Sequence, residues 1–353
     1  MSLEQYSLLS IEIITQFCEQ LAKVVSKRIP ENAPYASRFV QLLSKTLSID
    51  AAVKEEIEGV EWDAQLKVEM EGNITKVMQL VAQKIEQRLV LDPSILQMGE
   101  RISSAQMQNY AALSVAHSLS TSWPTHAEPL TRILRQAREA IMDVARSSVF
   151  TILASMHNEE LSNPSPYAKE LCNYLRVFLL HAPLFLNFPG SGEILTTFLD
   201  YTVELFLLSS SLIRPLSSDQ LNCLSLDLQY IASQGLSLFD VQSSVLRNVP
   251  QFAEAFKLPP EQLPDCDALP FWFVVQLLIS LSEESLISPH VSAGWSLQEY
   301  LRWFLNHSNA DRISFMSSLM RSYTSSVIAG GRTEYVTYYP LIMNILQKVV
   351  SST

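Results

Sequence analysis

Glycine is the scarcest informative residue: nine occur in 353, about 2.5% where soluble proteins average near 7%. The left-handed and close-approach turns of β-rich and phosphate-cradling folds are therefore in short supply. Neither the dinucleotide fingerprint nor the P-loop pattern appears. Charged residues make up only 17% of the chain, with 25 Lys and Arg against 36 Asp and Glu, a net −11. That balance argues against a surface built to neutralise nucleic-acid phosphates. Cys18, Cys172, Cys223 and Cys266 are spaced too widely for a redox pair or a zinc ribbon, and read as small buried hydrophobes in a reducing compartment. The first twenty residues carry Glu4, Glu12 and Glu19 without a basic leader, unlike a secretory signal. The longest apolar uncharged run, Ala268 to Ser282, is 15 residues, short of the roughly 18–20 that a membrane-spanning helix needs. A soluble chain with at most peripheral membrane contact is expected.

What is present is helical periodicity. Ile74, Val77, Met78, Val81, Ile85 and Leu89 share one face, with Lys76, Gln79, Gln83 and Glu86 on the other. Ile313, Met316, Met320, Tyr323 and Val327 step by three and four before Gly330-Gly331, a pair suited to a helix stop. Leu297, Leu301 and Phe304 oppose Gln298, Arg302 and Asn306. The spacing predicts helices over about 3–29, 33–49, 74–91, 94–118, 126–156, 167–181, 193–211, 217–235, 240–256, 270–281, 295–306, 310–328 and 333–350. Phe271 to Val275 has strand propensity, but its apolar continuation to Ser280 favours a buried helix. Asp92-Pro93 and Asp267 to Pro270 look like helix starts, a capping carboxylate with a first-turn proline. Asp50 to Glu71 holds eight acids against Lys54 and Lys67, a solvated stretch. Charge density falls from about 22% in residues 1–160 to about 13% after them. A domain boundary is expected in Ser162-Asn163-Pro164-Ser165-Pro166, separating 1–161 from 162–353.

A search for chemistry assigns no catalytic, cofactor-binding or metal residue. Gly190-Ser191-Gly192 follows a proline and has no lysine nearby, so it reads as a helix-to-helix turn. Asp265 and Asp267 read as caps rather than ligands. His157, in Met156-His157-Asn158-Glu159-Glu160, is read as a protonated imidazole facing the negative end of a long helix. Arg132, Arg135, Arg138 and Arg146 form the strongest basic feature. Glu128, Glu139 and Asp143 are interleaved with them, which favours an ordinary mixed-charge face over a lipid-binding one. Met98, Met107, Met142, Met156, Met316 and Met320 read as core, and so do Trp303, Tyr335, Tyr338 and Tyr339, although each aromatic has the character of a partner anchor. From the residues alone the chain is all-α, a long helical scaffold without an evident reaction centre.

A family resemblance adds to this. Val203 to Phe206, Leu212-Ile213-Arg214-Pro215-Leu216, Leu269-Pro270-Phe271, Ala293-Gly294-Trp295-Ser296 and Tyr339-Pro340-Leu341-Ile342 with Gln347 occur in an order and spacing similar to the C-terminal region of the family of conserved oligomeric Golgi (COG) complex subunit 5. The resemblance covers about residues 100–350. It departs at Ser217-Ser218, where the family usually has glycine, and in length, since family members run much longer and carry an N-terminal coiled-coil segment not evident here. It implies an elongated rod of consecutive antiparallel helical bundles, as in other multisubunit tethers. The implied role is non-enzymatic vesicle capture in retrograde intra-Golgi transport, on the cytosolic face of the Golgi. The implied partners are subunits 6, 7 and 8 of that complex and, through the assembly, SNAREs, Rab GTPases and coiled-coil tethers, with no nucleic acid. A subunit of the exocyst or a related tether remains an alternative, as does an all-α lipid-processing or transferase enzyme with a buried pocket.

Overall fold

A computed structural model describes residues 75–352 apart from 77. The expected helices over 3–29 and 33–49, the acidic stretch before residue 72, and Cys18 lie outside the described residues. Among the described residues the secondary structure is helical throughout, with no strand, as the all-α reading expects. The chain divides into two compact units, one comprising the described residues to Ala145 with Leu180–Ser191, the other Arg146–Leu179 with Gly192 onward.

In the first unit the predicted 94–118 helix is instead two, Pro93–Leu96 and Ser104–Ser122. The break has a local cause. Ser103 takes an extended backbone and exchanges a capping box with Gln106, whose amide also donates to the Gln97 carbonyl at 2.6 Å. Asn109, fully buried, accepts from the Val90 N–H at 2.9 Å and donates to its carbonyl at 2.8 Å, which satisfies an extended segment beside the helix. Buried His181 bridges Tyr110 at 2.8 Å and the Gly99 carbonyl at 2.9 Å. The Pro166–Phe185 helix runs past the predicted end at 181, through Pro183, because Ala182 and Phe185 are core residues and Phe185 stacks on Tyr110.

In the second unit the core is aromatic and continuous. Phe178 stacks on Phe198 at 4.4 Å, Phe206 meets Phe256, Phe256 meets Phe273, and Trp272 meets Phe304 at 5.3 Å. The Phe271–Leu281 helix, buried along nearly its whole length, packs against Tyr339–Ser352, and Ser218–Gln234 packs against Ser244–Ala255. The strand propensity of its first five residues is overridden by this burial. Tyr167 donates to buried Asp227 at 2.6 Å while the Ser165 N–H donates to its other oxygen at 2.8 Å, so the Ser162–Pro166 loop is pinned from 60 residues away. Burial pushes the Asp227 carboxyl above its ordinary range, a shift opposed by those hydrogen bonds.

Several local readings hold and several do not. Ile313, Met316, Met320, Tyr323 and Val327 are all buried. After them Gly331, at φ +63°, closes the helix as a Schellman motif, with the Arg332 N–H bonded to the Val327 carbonyl and the Gly331 N–H to that of Ile328. Gly190, at φ +88°, does form the turn between two helices. Asp92 caps a one-turn helix, but Asp267 caps nothing: Pro270 itself is the residue before Phe271–Leu281, and no side chain bonds that helix start. The predicted 333–350 helix begins only at Tyr339, since the Val336 N–H is taken by the Tyr323 hydroxyl at 3.0 Å and the Thr337 N–H by Glu283. Ser217 needs no glycine-like conformation, because it is an extended cap in a box with Gln220. Met107, Cys223 and Cys266 are half-buried rather than core, while Cys172 is buried and its thiol is pushed up to about 11.

Phe304 is 1% exposed, whereas Trp295 is half-buried against Phe315. Phe304→Ala is expected to lower unfolding free energy by about 3–5 kcal/mol, and Trp295→Ala by distinctly less, measured by urea titration. Equal losses would mean that Trp295 is as deeply packed as Phe304.

Candidate functional site

The second unit carries a cleft of about 440 Å³ lined by residues that include His157, Leu212, Arg214, Glu284, Ile287 and His290. Its walls come from three places: the turn after Glu128–Ala154, the Leu212 to Leu216 block, and the segment after Phe271–Leu281. Arg214 makes the arrangement possible. Its guanidinium donates to the Ser282 carbonyl at 2.8 Å, the Glu283 carbonyl at 2.6 Å, and the Leu286 carbonyl. Ser282 is the C-cap of the Phe271–Leu281 helix, whose end leaves carbonyls unpaired, and Glu283 and Leu286 lie in the turn beyond it. Ser280 adds a buried hydrogen bond to the Ser211 carbonyl at 2.7 Å. Burial lowers the Arg214 pKa, and the acidic neighbours Glu284 and Glu283 counter it.

His157 sits in the other wall and is not the charged imidazole expected from the sequence. Burial, reinforced by His290, pushes it down to about 4, so at neutral pH it is uncharged and makes no ion–dipole contact with the helix end. It bonds the Ser209 backbone, while its Nε2 is buried without a partner, as is Nδ1 of His290. His290 is also lowered by burial. Ile287 and Val291, four residues apart on the rim, are 51% and 57% exposed.

The basic feature of the Glu128–Ala154 helix does not form one patch. Arg132 and Arg135 are exposed. Arg138 turns inward, donates to the Phe185 carbonyl at 3.2 Å and lies 3.7 Å from the Phe188 ring centre, and burial pushes it down to about 10. The four aromatic anchor candidates are not core as expected. Tyr335 is 40% exposed and stacked on Tyr339 at 4.2 Å, and Trp303, Tyr338 and Tyr339 are half-buried. Trp303 stacks with exposed His307 at 4.5 Å. Asp265 and Asp267 stay at the surface, and among the described residues no three His, Cys, Asp or Glu side chains are grouped to hold a metal. Among the described residues no helix is long and apolar enough to cross a membrane.

The chain is similar to conserved oligomeric Golgi complex subunit 5. The Mus musculus protein of that name is 23% identical over 341 aligned positions, covering 82% of this chain and 40% of the mouse protein. The Drosophila melanogaster protein is 24% identical over 255 positions, covering 65% of this chain and 34% of the fly protein. The chain thus spans about two fifths of the mouse relative and about a third of the fly one. No family model matches, and no solved structure matches. The resemblance read from the sequence agrees with both relatives. One of the blocks that carries it, Leu212 to Leu216, supplies the arginine on which the cleft is built.

His157 links the cleft to pH. Its folded value, about 4, lies below the ordinary 6.5, so the unfolded chain takes up the proton first as pH falls. The stability it confers is complete above about pH 6.5 and is lost between there and about pH 4, at most about 3 kcal/mol. Arg214, Glu284 and His290 are the other ionisable groups lining the cleft. Urea titrations between pH 7.5 and 4.5 are expected to show a steeper loss for the parent than for His157→Gln. Parallel curves would mean that His157 titrates normally in the folded chain.

Proposed function

We propose that this chain acts as a non-enzymatic subunit of the conserved oligomeric Golgi complex and contributes to tethering vesicles in retrograde transport within the Golgi. The observation that carries the reading is the similarity to the mouse and fly subunit 5 proteins, which extends over 82% and 65% of this chain rather than over one short motif. Its work is docking: helical faces and clefts receive other chains, and association with the cytosolic side of the Golgi membrane is peripheral and indirect. Subunits 6, 7 and 8 of that complex are the expected direct partners, with SNAREs, Rab GTPases and coiled-coil tethers reached through the assembly. The cleft beside Arg214 supports this reading, since it combines exposed aliphatic side chains with a rim fixed by hydrogen bonds to backbone. Such a surface is suited to receiving a preformed helix.

The test is purification of the tagged full-length chain from cytosol and identification of what accompanies it. Stoichiometric recovery of Golgi-complex subunits is expected. Recovery of exocyst subunits instead, or of no tether subunit, would contradict the assignment.

A further inference from the structure

The cleft has a chemistry that selects its occupant. Apolar contact is offered by Leu212, Pro215, Ile287, Val291 and Leu297, of which Ile287 and Val291 are more than half exposed. The cation among the described lining residues, Arg214, gives three of its five N–H groups to the carbonyls of Ser282, Glu283 and Leu286, which hold its charge against the backbone. Glu284 is exposed at the cleft. The wider field has the same sign, since the chain carries a net −11.

We propose that this cleft docks an amphipathic helix of a partner protein, with the partner's apolar residues on Ile287 and Val291 and its lysine or arginine side chains received by Glu284. A volume of about 440 Å³ lies within the roughly 300–1,000 Å³ typical of built binding pockets. It suits a few side chains of a helix rather than a whole small domain. An acidic helix would meet Glu284 and the chain's own negative field, while most of the Arg214 donors are committed to backbone carbonyls, so basic helices are selected over acidic ones. The inference deepens the reading of the chain as a docking subunit by naming the surface and the chemistry of what it receives.

The test uses the purified full-length chain and two fluorescein-labelled amphipathic peptides of identical apolar pattern, one built from leucine and lysine, the other from leucine and glutamate. Fluorescence anisotropy at physiological salt is expected to show the lysine peptide binding at least about tenfold more tightly than the glutamate peptide. Ile287→Ser combined with Val291→Ser should weaken lysine-peptide binding by about tenfold. Glu284→Gln should weaken it several-fold, whereas Glu334→Gln, an exposed acid outside the cleft, should leave it unchanged. These side chains are exposed, and circular dichroism should confirm that the variants fold. Lysine-peptide binding that survives the Ile287 and Val291 changes, equal loss in Glu334→Gln, comparable binding of the glutamate peptide, or binding of neither would each overturn the proposal. If those results come from a chain that still purifies with Golgi-complex subunits, the cleft assignment alone fails. If the chain binds the lysine peptide as expected but purifies with none of those subunits, the Golgi assignment alone fails.

Discussion

The second unit depends on how its most buried helix ends. Phe271–Leu281 is almost wholly enclosed, and the carbonyls at its C-terminal end require hydrogen-bond donors. From nearly 70 residues away in sequence, Arg214 bonds the C-cap carbonyl of Ser282 and those of Glu283 and Leu286 in the turn beyond the helix with one rigid planar group. Lysine carries its donors on a single nitrogen and could not span these carbonyls in the same way. The consequences extend outward. With its backbone fixed by Arg214, Glu283 directs its carboxylate to the N–H and hydroxyl of Thr337 at 3.1 and 2.6 Å, holding the segment before the last helix. Ile287, His290 and Val291 are carried on the same braced stretch, so the cleft rim inherits its position from this arginine.

The features legible in the sequence were those decided within a few residues. The stripe from Ile313 to Val327, the glycine stop after it, and the helical outcome of Phe271 to Ser280 follow from periodicity, backbone freedom and length. Where the reading failed, a distant group had intervened or a nearer one had taken the role. Thr337 is held by Glu283, 54 residues earlier, and Val336 by the Tyr323 hydroxyl, so the last helix starts late. His157 has the sequence context of a charged helix-end histidine, yet burial, reinforced by His290, keeps it neutral. Gln106 is an unremarkable polar residue on paper, but it closes a capping box and bonds Gln97, splitting what periodicity reads as one helix. The cleft itself could not be read from sequence, because its walls are separated by about 55 and 70 residues along the chain.

Two observations of different kinds support the docking role proposed above. The relatives are named as subunits of a complex, and the similarity to them runs over most of the chain. Independently, the side chains of the cleft that face outward are aliphatic groups and the Glu284 carboxylate. Residues that hold the fold and residues that remain available are thus separated within one small region: Arg214 and Ser280 brace it, while Ile287, Val291 and Glu284 face outward. Such a division lets a scaffold present a surface without spending its own stability on it.

The most direct test of this account is amide hydrogen exchange on the Arg214→Ala chain compared with the parent. If one arginine braces the end of the buried helix, protection should fall across Ile279–Ser292, while the Ser104–Ser122 helix of the other unit exchanges as before. Unchanged protection across Ile279–Ser292 in a folded Arg214→Ala chain would contradict the claim that this interaction holds the cleft in place.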